Sequence, residues 1–211
     1  MANDHELFFR QAVVSASGII YWAGVLIQAR RVRRHIGRSP NLKPMGLKER
    51  LLWLGWFIVI LAWIVQPVLL STSPALPGLR LCNSLLTRVT FVCGLALVLA
   101  GYAGTLWCYR AMGDSWRIGV NRKEKNALVV LGPYRRVRHP IYFFQIVMLV
   151  GAALLLPTVA SLGILLFHLV CVLIKATDEE AYLLSAHGQP YREYLARTGR
   201  LLPKLFVPAR T

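Results

Sequence analysis

Acidic residues are scarce in this chain. Nine Asp and Glu stand against 25 Lys and Arg, and only 16% of the 211 residues are charged. An ordinary soluble domain carries about 25% charged residues, so this composition excludes one of this length. Paired cysteines are also missing. Cys82, Cys93, Cys108 and Cys171 have no close spacing and lie in or beside apolar runs, which points to packing rather than to a disulfide framework or a metal site. There is no internal repeat and no low-complexity tract. The first apolar run follows Asp4 and Glu6 and lacks a small-residue cleavage site, so it is expected to be retained rather than removed as a signal peptide.

What the chain has in quantity is apolar sequence, with 56% hydrophobic residues and a mean hydropathy of +0.51. Uncharged runs at 11–29, 51–79, 89–109 and 141–174 each supply the roughly 20 apolar residues needed to cross a hydrocarbon core of about 30 Å. The last run is long enough for two crossings, and Pro157 divides it into arms 141–156 and 158–174. The fold predicted is all-α, a polytopic membrane protein with about five transmembrane helices.

Charge placement orients that bundle. Residues 30–50 and 110–138 hold eight Lys and Arg each, and 175–210 hold six, while the other loops show only Arg80 and Arg88. Cytoplasmic loops concentrate basic residues near span ends, so all three basic segments belong on one side. That requires an even number of crossings between His139 and Lys175, which the hairpin provides. The N-terminus is then expected outside and the C-terminus in the cytoplasm. The net charge of +16 lies beside membrane spans, so anionic headgroups explain it better than a nucleic acid, and no nucleic-acid partner is expected.

Two parts follow from where polar residues concentrate. Residues 1–109 read as three spans with a basic cytoplasmic loop, and 110–211 as the catalytic part. The loop at 30–50, with Gly37, Pro40, Pro44 and Gly46, reads as an irregular surface connection without a catalytic pattern. Asp114, Ser115, Trp116 and Arg117 after the third span read first as an interfacial anchor.

The second part holds the titratable groups. Residues 126–131 run through β-branched positions into Gly132 and Pro133, the pattern of a short extended piece that should edge a pocket. Arg138, His139 and Pro140 then stop one element and start the next, placing His139 at the head of the fourth span. Glu179 and Glu180 follow the fifth span, and the hairpin brings them back to the level of His139 and Tyr142. Ionisable groups beside a membrane core are costly unless paired, which favours a functional role, although Lys175 and Glu179 are also spaced for an ordinary helical ion pair. Tyr191, Tyr194 and Arg197 share one face of a short amphipathic helix that would lie on the membrane and cover the pocket. His168 and Gln145 lie inside the hairpin arms, where polar groups are expected to find protein partners.

Together, Gly132 and Tyr134, the run from Arg138 to Tyr142, the Glu179 and Glu180 pair, and Gly188 with Tyr191 and Tyr194 resemble the isoprenylcysteine carboxyl methyltransferase family of integral membrane enzymes. The resemblance spans residues 126 to about 203. It implies S-adenosylmethionine as methyl donor and a lipophilic acceptor that enters from the bilayer. It further implies that Asn126, Ala127, Leu128, Val129, Tyr134, Arg138, His139, Pro140, Ile141 and Tyr142 line the cofactor pocket, with Glu179 and Glu180 at its anionic side. Where that family has an Arg gripping the substrate carboxylate, this chain has Lys175, which neutralises a carboxylate without forking it. Lys175 and Arg197 are the expected acceptor-positioning cations. No metal is implied. Two other readings stay open: an NADPH-dependent membrane reductase using Arg135, Arg136, Arg138 and Arg197 for phosphates, and a non-enzymatic membrane protein that binds anionic lipid through the 30–50 loop.

Overall fold

The computed structural model describes residues 4–40, 46–73, 75–118 and 127–204. Its helices are α1 (Asp4–Ile36), α2 (Leu47–Thr72), α3 (Arg88–Met112), α4 (Pro140–Leu155), α5 (Val159–His187) and α6 (Gln189–Arg197). Short 3-10 turns occur at Pro77–Leu79, Asn83–Leu85, Gly113–Ser115 and Gly132–Arg135. Among the described residues there is no strand; isolated bridges pair Leu81 with Thr158 and Val137 with Gly199. α1, α2, α3 and α5 are long and apolar enough to cross a membrane, and α4 is a shorter apolar helix of 16 residues. At about 1.5 Å per residue, α4 rises about 24 Å. The protein is thus an all-α polytopic membrane protein.

Large apolar residues such as Val14, Tyr21, Trp63, Met148 and Leu155 pack between the helices, and at particular crossings small or polar residues bring them together. α3 and α4 approach at glycines: a methyl on Gly94 would stand 2.9 Å from the Gly151 carbonyl, and one on Gly151 would stand 2.6 Å from the Gly94 carbonyl. At one end of the bundle, Arg10 is fully buried and bound to Glu6 (2.8 Å), the Leu155 carbonyl (3.3 Å) and the Thr87 carbonyl (2.6 Å), tying α1 to the ends of α3 and α4. Nearby, the Gln66 amide donates to Thr158 (2.7 Å) and Ser161 (2.6 Å), joining α2 to α5. The opposite end carries the basic segments, where Lys48 pairs with Asp178 at 2.6 Å and His35 contacts Asp114 at 3.1 Å.

Several expected boundaries move. The 30–50 segment is less irregular than expected, because α1 runs to Ile36 and α2 starts at Leu47. Backbone hydrogen bonding continues a helix past the apolar limit wherever no breaker intervenes, and here Gly37, with φ +71°, is the first. Conversely, the expected 51–79 span stops at Thr72, since Pro67 lies inside the helix but the chain leaves it at Ser73 before the Pro77–Leu79 turn. The hairpin forms as expected, with Thr158 capping α5 by accepting from Ser161 N at 3.0 Å. α5 then continues through 187, so Glu179 and Glu180 belong to the spanning helix itself.

Candidate functional site

His139 is the residue before Pro140, the first position of α4. Proline needs no amide partner there, and it limits the conformation of the residue before it. The His139 side chain makes no capping bond. Its imidazole instead faces α5, with Nε2 3.2 Å from Glu180 Oε1 and Nδ1 3.4 Å from Glu179 Oε2. Its amide donates to the Arg200 carbonyl at 3.0 Å, and the Arg138 amide donates to the Gly199 carbonyl at 2.9 Å. The segment after α6 therefore lies beside 136–139 and contributes Arg200.

The two carboxylates divide the work. Glu180 accepts from Arg138 Nε (2.9 Å), Arg200 Nε (3.1 Å) and Arg200 Nη2 (2.7 Å), and Arg138 also donates to the Thr198 carbonyl. Its side chain is 11% exposed. Two guanidiniums and an imidazole thus hold Glu180 as the centre of a clamp joining α4, α5 and the segment after α6. Glu179 is held more lightly, accepting from the Tyr142 hydroxyl at 2.9 Å beside His139. The rings of His139 and Tyr142 stack at 5.6 Å with 14° between planes. Burial pushes the His139 imidazole down, but hydrogen bonds and charge from Glu179 and Glu180 outweigh it and raise its pKa above the ordinary value. Burial pushes the Tyr134 phenol well above its usual range, and its hydroxyl has no hydrogen-bond partner among the described residues.

A cavity of about 460 Å³ opens beside these groups. Tyr134, Arg138, His139, Tyr142 and Glu179 line it. Backbone at Ala127, Leu128 and Val129 edges it as expected, although these residues adopt no regular strand. Asn126 lies outside the described residues. Ile141 lines the cavity, whereas Pro140 and Glu180 do not. Lys175 is buried one turn before Glu179 and does not line the cavity, and Arg197 is exposed and borders a different groove.

α6 does not cover this cavity. Its Tyr191 and Tyr194 turn inward, and the Tyr194 hydroxyl donates to the Tyr134 carbonyl at 2.7 Å. Burying two aromatic rings and satisfying a backbone carbonyl outweighs laying that face on lipid. Trp116 is likewise no interfacial anchor: it is buried, meets Tyr109 edge-on at 5.6 Å and lines the cavity with Arg117 and Ile118. Gln145 finds a partner in the Tyr21 hydroxyl at 2.7 Å, but both His168 ring nitrogens are buried without one among the described residues.

The rest of the wall was not foreseen. α1 contributes Tyr21, Trp22 and Leu26, and α2 contributes Trp53, Trp56 and Phe57. The α2 residues, with Ile60, follow the 53, 56, 57, 60 spacing of one helix face, and that aromatic stripe was the available signal.

Residues 89–189 match the phospholipid methyltransferase family. That family belongs to the integral membrane isoprenylcysteine carboxyl methyltransferase-like superfamily, which the chain resembles in the residues of the clamp and hairpin above. Methyltransferases of this family generally use S-adenosylmethionine. Among curated proteins, the chain is 26% identical over 112 residues to the nickel-cobalt-cadmium resistance protein NccN of Alcaligenes xylosoxydans xylosoxydans, covering 53% of this chain and 49% of that protein. It is 28% identical over 114 residues to the cobalt-zinc-cadmium resistance protein CzcN of Cupriavidus metallidurans, covering 53% and 48%. The chain thus spans about half the length of the curated relatives it matches.

Proposed function

We propose that this protein transfers a methyl group from S-adenosylmethionine to a lipophilic acceptor at the membrane surface. The observation carrying this reading is a single cavity lined both by a carboxylate and an imidazole and by aromatic side chains of membrane helices. What S-adenosylmethionine supplies when bound is an electrophilic methyl carbon on a sulfonium. The residues present fit such a cation. Glu179 is anionic and borders the cavity, and each of its oxygens retains acceptor capacity beyond Tyr142 and His139. The Tyr134 hydroxyl, buried without a partner among the described residues, can donate to a polar group of the cofactor.

The protein's part is binding, alignment and exclusion of water. Tyr142 and His139 fix the Glu179 carboxylate, and Glu180 fixes Arg138 and Arg200 behind it. Leu26, Trp53 and Phe57 line the cavity yet are 57%, 39% and 59% exposed on the lipid-facing helices α1 and α2. That supports entry of the acceptor's apolar tail from the bilayer. An isoprenylcysteine-like carboxylate is the acceptor the resemblance implies. It would arrive ionised and need no general base. Neither Lys175 nor Arg197 borders the cavity, so Arg117, which does, is the cation we assign to it. A phosphate-rich NADPH is poorly matched, since Arg135, Arg136 and Arg197 border a different groove. In this reading the basic end of the bundle, with the site, faces the cytoplasm, and the N-terminus lies outside.

The test is thermal unfolding of the detergent-purified protein with S-adenosylmethionine and, separately, with NADPH. Stabilisation by S-adenosylmethionine alone, lost in Glu179→Gln, is expected. Stabilisation by NADPH alone would replace this reading with that of a reductase.

A further inference from the structure

A second groove, of about 730 Å³, shares no lining residue with the cavity. Arg135, Arg136, Arg197 and Lys204 border it, together with Val130 and Leu131, and among the described residues no acidic side chain lines it. Arg135 and Arg136 are exposed and form no ion pair with a described residue. Arg197 and Lys204 are steadied by carbonyls at the end of α6: Arg197 Nε donates to Glu193 O at 3.2 Å, and Lys204 Nζ donates to Leu195 O at 2.9 Å and Ala196 O at 3.0 Å. The nearest acid on that helix, Glu193, accepts from Gln189 at 3.3 Å and does not border the groove.

Four cations around one concavity leave a positive field that a compact anion would neutralise. Guanidiniums offer paired donors matched to phosphate oxygens. The apolar residues beside them identify the source of that phosphate. Leu131 is 72% exposed, Val130 40% and Leu202, beside Pro203, 63%. Exposed apolar side chains among cations are the composition of a surface that dips into the headgroup layer, where anionic lipids concentrate. The groove also lies at the end of the bundle that carries the basic segments.

We propose that this groove binds the phosphate of an anionic phospholipid, with Arg135, Arg136, Arg197 and Lys204 as its counter-charges and Val130 and Leu131 against the acyl chains. The inference is independent of methyl transfer. It has a consequence for the cavity nonetheless, because Gly199 N donates to Arg136 O at 3.1 Å and Arg138 N donates to Gly199 O at 2.9 Å. The groove and the Glu180 clamp thus share one stretch of backbone, and a bound lipid would hold both.

The experiment is thermal unfolding of the full chain in neutral detergent with phosphatidylglycerol, phosphatidylcholine or inorganic phosphate added. It compares the natural protein, the Arg135→Gln/Arg136→Gln double variant and the charge-preserving Arg135→Lys/Arg136→Lys variant. Phosphatidylglycerol should raise the Tm of the natural protein by several degrees at low salt, and phosphatidylcholine should not. The Gln variant should lose at least half of that rise and the Lys variant should keep most of it. Equal rises in all three proteins would overturn the assignment, as would an equal rise with phosphatidylcholine. If inorganic phosphate reproduces the effect in full, the lipid is the wrong source. Should the Gln variant not fold, Lys204→Gln serves in its place, with a smaller loss expected and an unchanged rise overturning the proposal.

Discussion

The two halves of the molecule build one cavity from opposite materials. α1 and α2 bring rings and aliphatic chains, Tyr21, Trp22, Trp53, Trp56 and Phe57, and among the described residues they bring no charge to its wall. The stretch from Trp116 to Arg200 brings the ionisable groups, and it commits most of them to each other: Glu180 alone takes bonds from Arg138, Arg200 and His139. The contrast teaches that the charges serve two purposes. Glu180 holds three chain segments together, while Glu179 keeps capacity for a ligand.

Breaking the ionic side should have the largest effects. Glu179→Gln should weaken S-adenosylmethionine binding at least about 100-fold, since a charge-assisted contact in a sheltered site is worth about 3 kcal/mol. Isothermal titration reads this directly, and an unchanged affinity would remove Glu179 from the ligand's contacts. Glu180→Ala leaves Arg138, Arg200 and His139 facing one another and should cost about 3 kcal/mol of stability. Thermal unfolding measures that loss, and a variant as stable as the natural protein would show that the clamp contributes little.

Breaking the apolar side should do less, and do it differently. Trp53→Ala removes a ring from the aromatic lining of the cavity and should raise KM for a lipophilic acceptor about 10-fold, with S-adenosylmethionine affinity unchanged. A loss of cofactor affinity instead would mean that the aromatic and ionic linings do not act separately. The smallest effect concerns pH. Because the folded-state pKa of His139 is raised, the stability from its pairing with Glu179 and Glu180 is fully present below the ordinary histidine value of about 6.5 and is lost as pH rises through the raised value. The Tm difference between the natural protein and His139→Gln should therefore be greatest near pH 6 and shrink toward pH 9. A difference independent of pH would mean that the pairing leaves the folded-state pKa of the imidazole unshifted.

Much of this was legible from residue order, for identifiable reasons. Uncharged runs announce spans because lipid forbids unpaired charge, and Pro157 and Pro140 mark helix limits by local sterics. The polar lining of the cavity was legible because ionisable groups beside an apolar run are rare enough to single out. Positions facing the cavity from α1 and α2 were not, since an aromatic residue in a span reads the same whether it meets lipid, a neighbouring helix or a ligand. Trp116 was misread for that reason. Arg200 was missed because its partner, Glu180, is reached only through the pairing of Val137 with Gly199.

Composition and order alone established a helical membrane protein, the hairpin around Pro157, and the meeting of His139 with Glu179 and Glu180, because each follows from short-range chemistry or from the length of a span. Packing assigned the roles. It turned Glu180 inward to two guanidiniums and left Glu179 at the cavity. It also swung α6 away from the opening and set Arg197 in a separate groove. Those outcomes depend on which faces of distant helices bury together, and that balance is struck between surfaces far apart in the chain, where no local pattern records it.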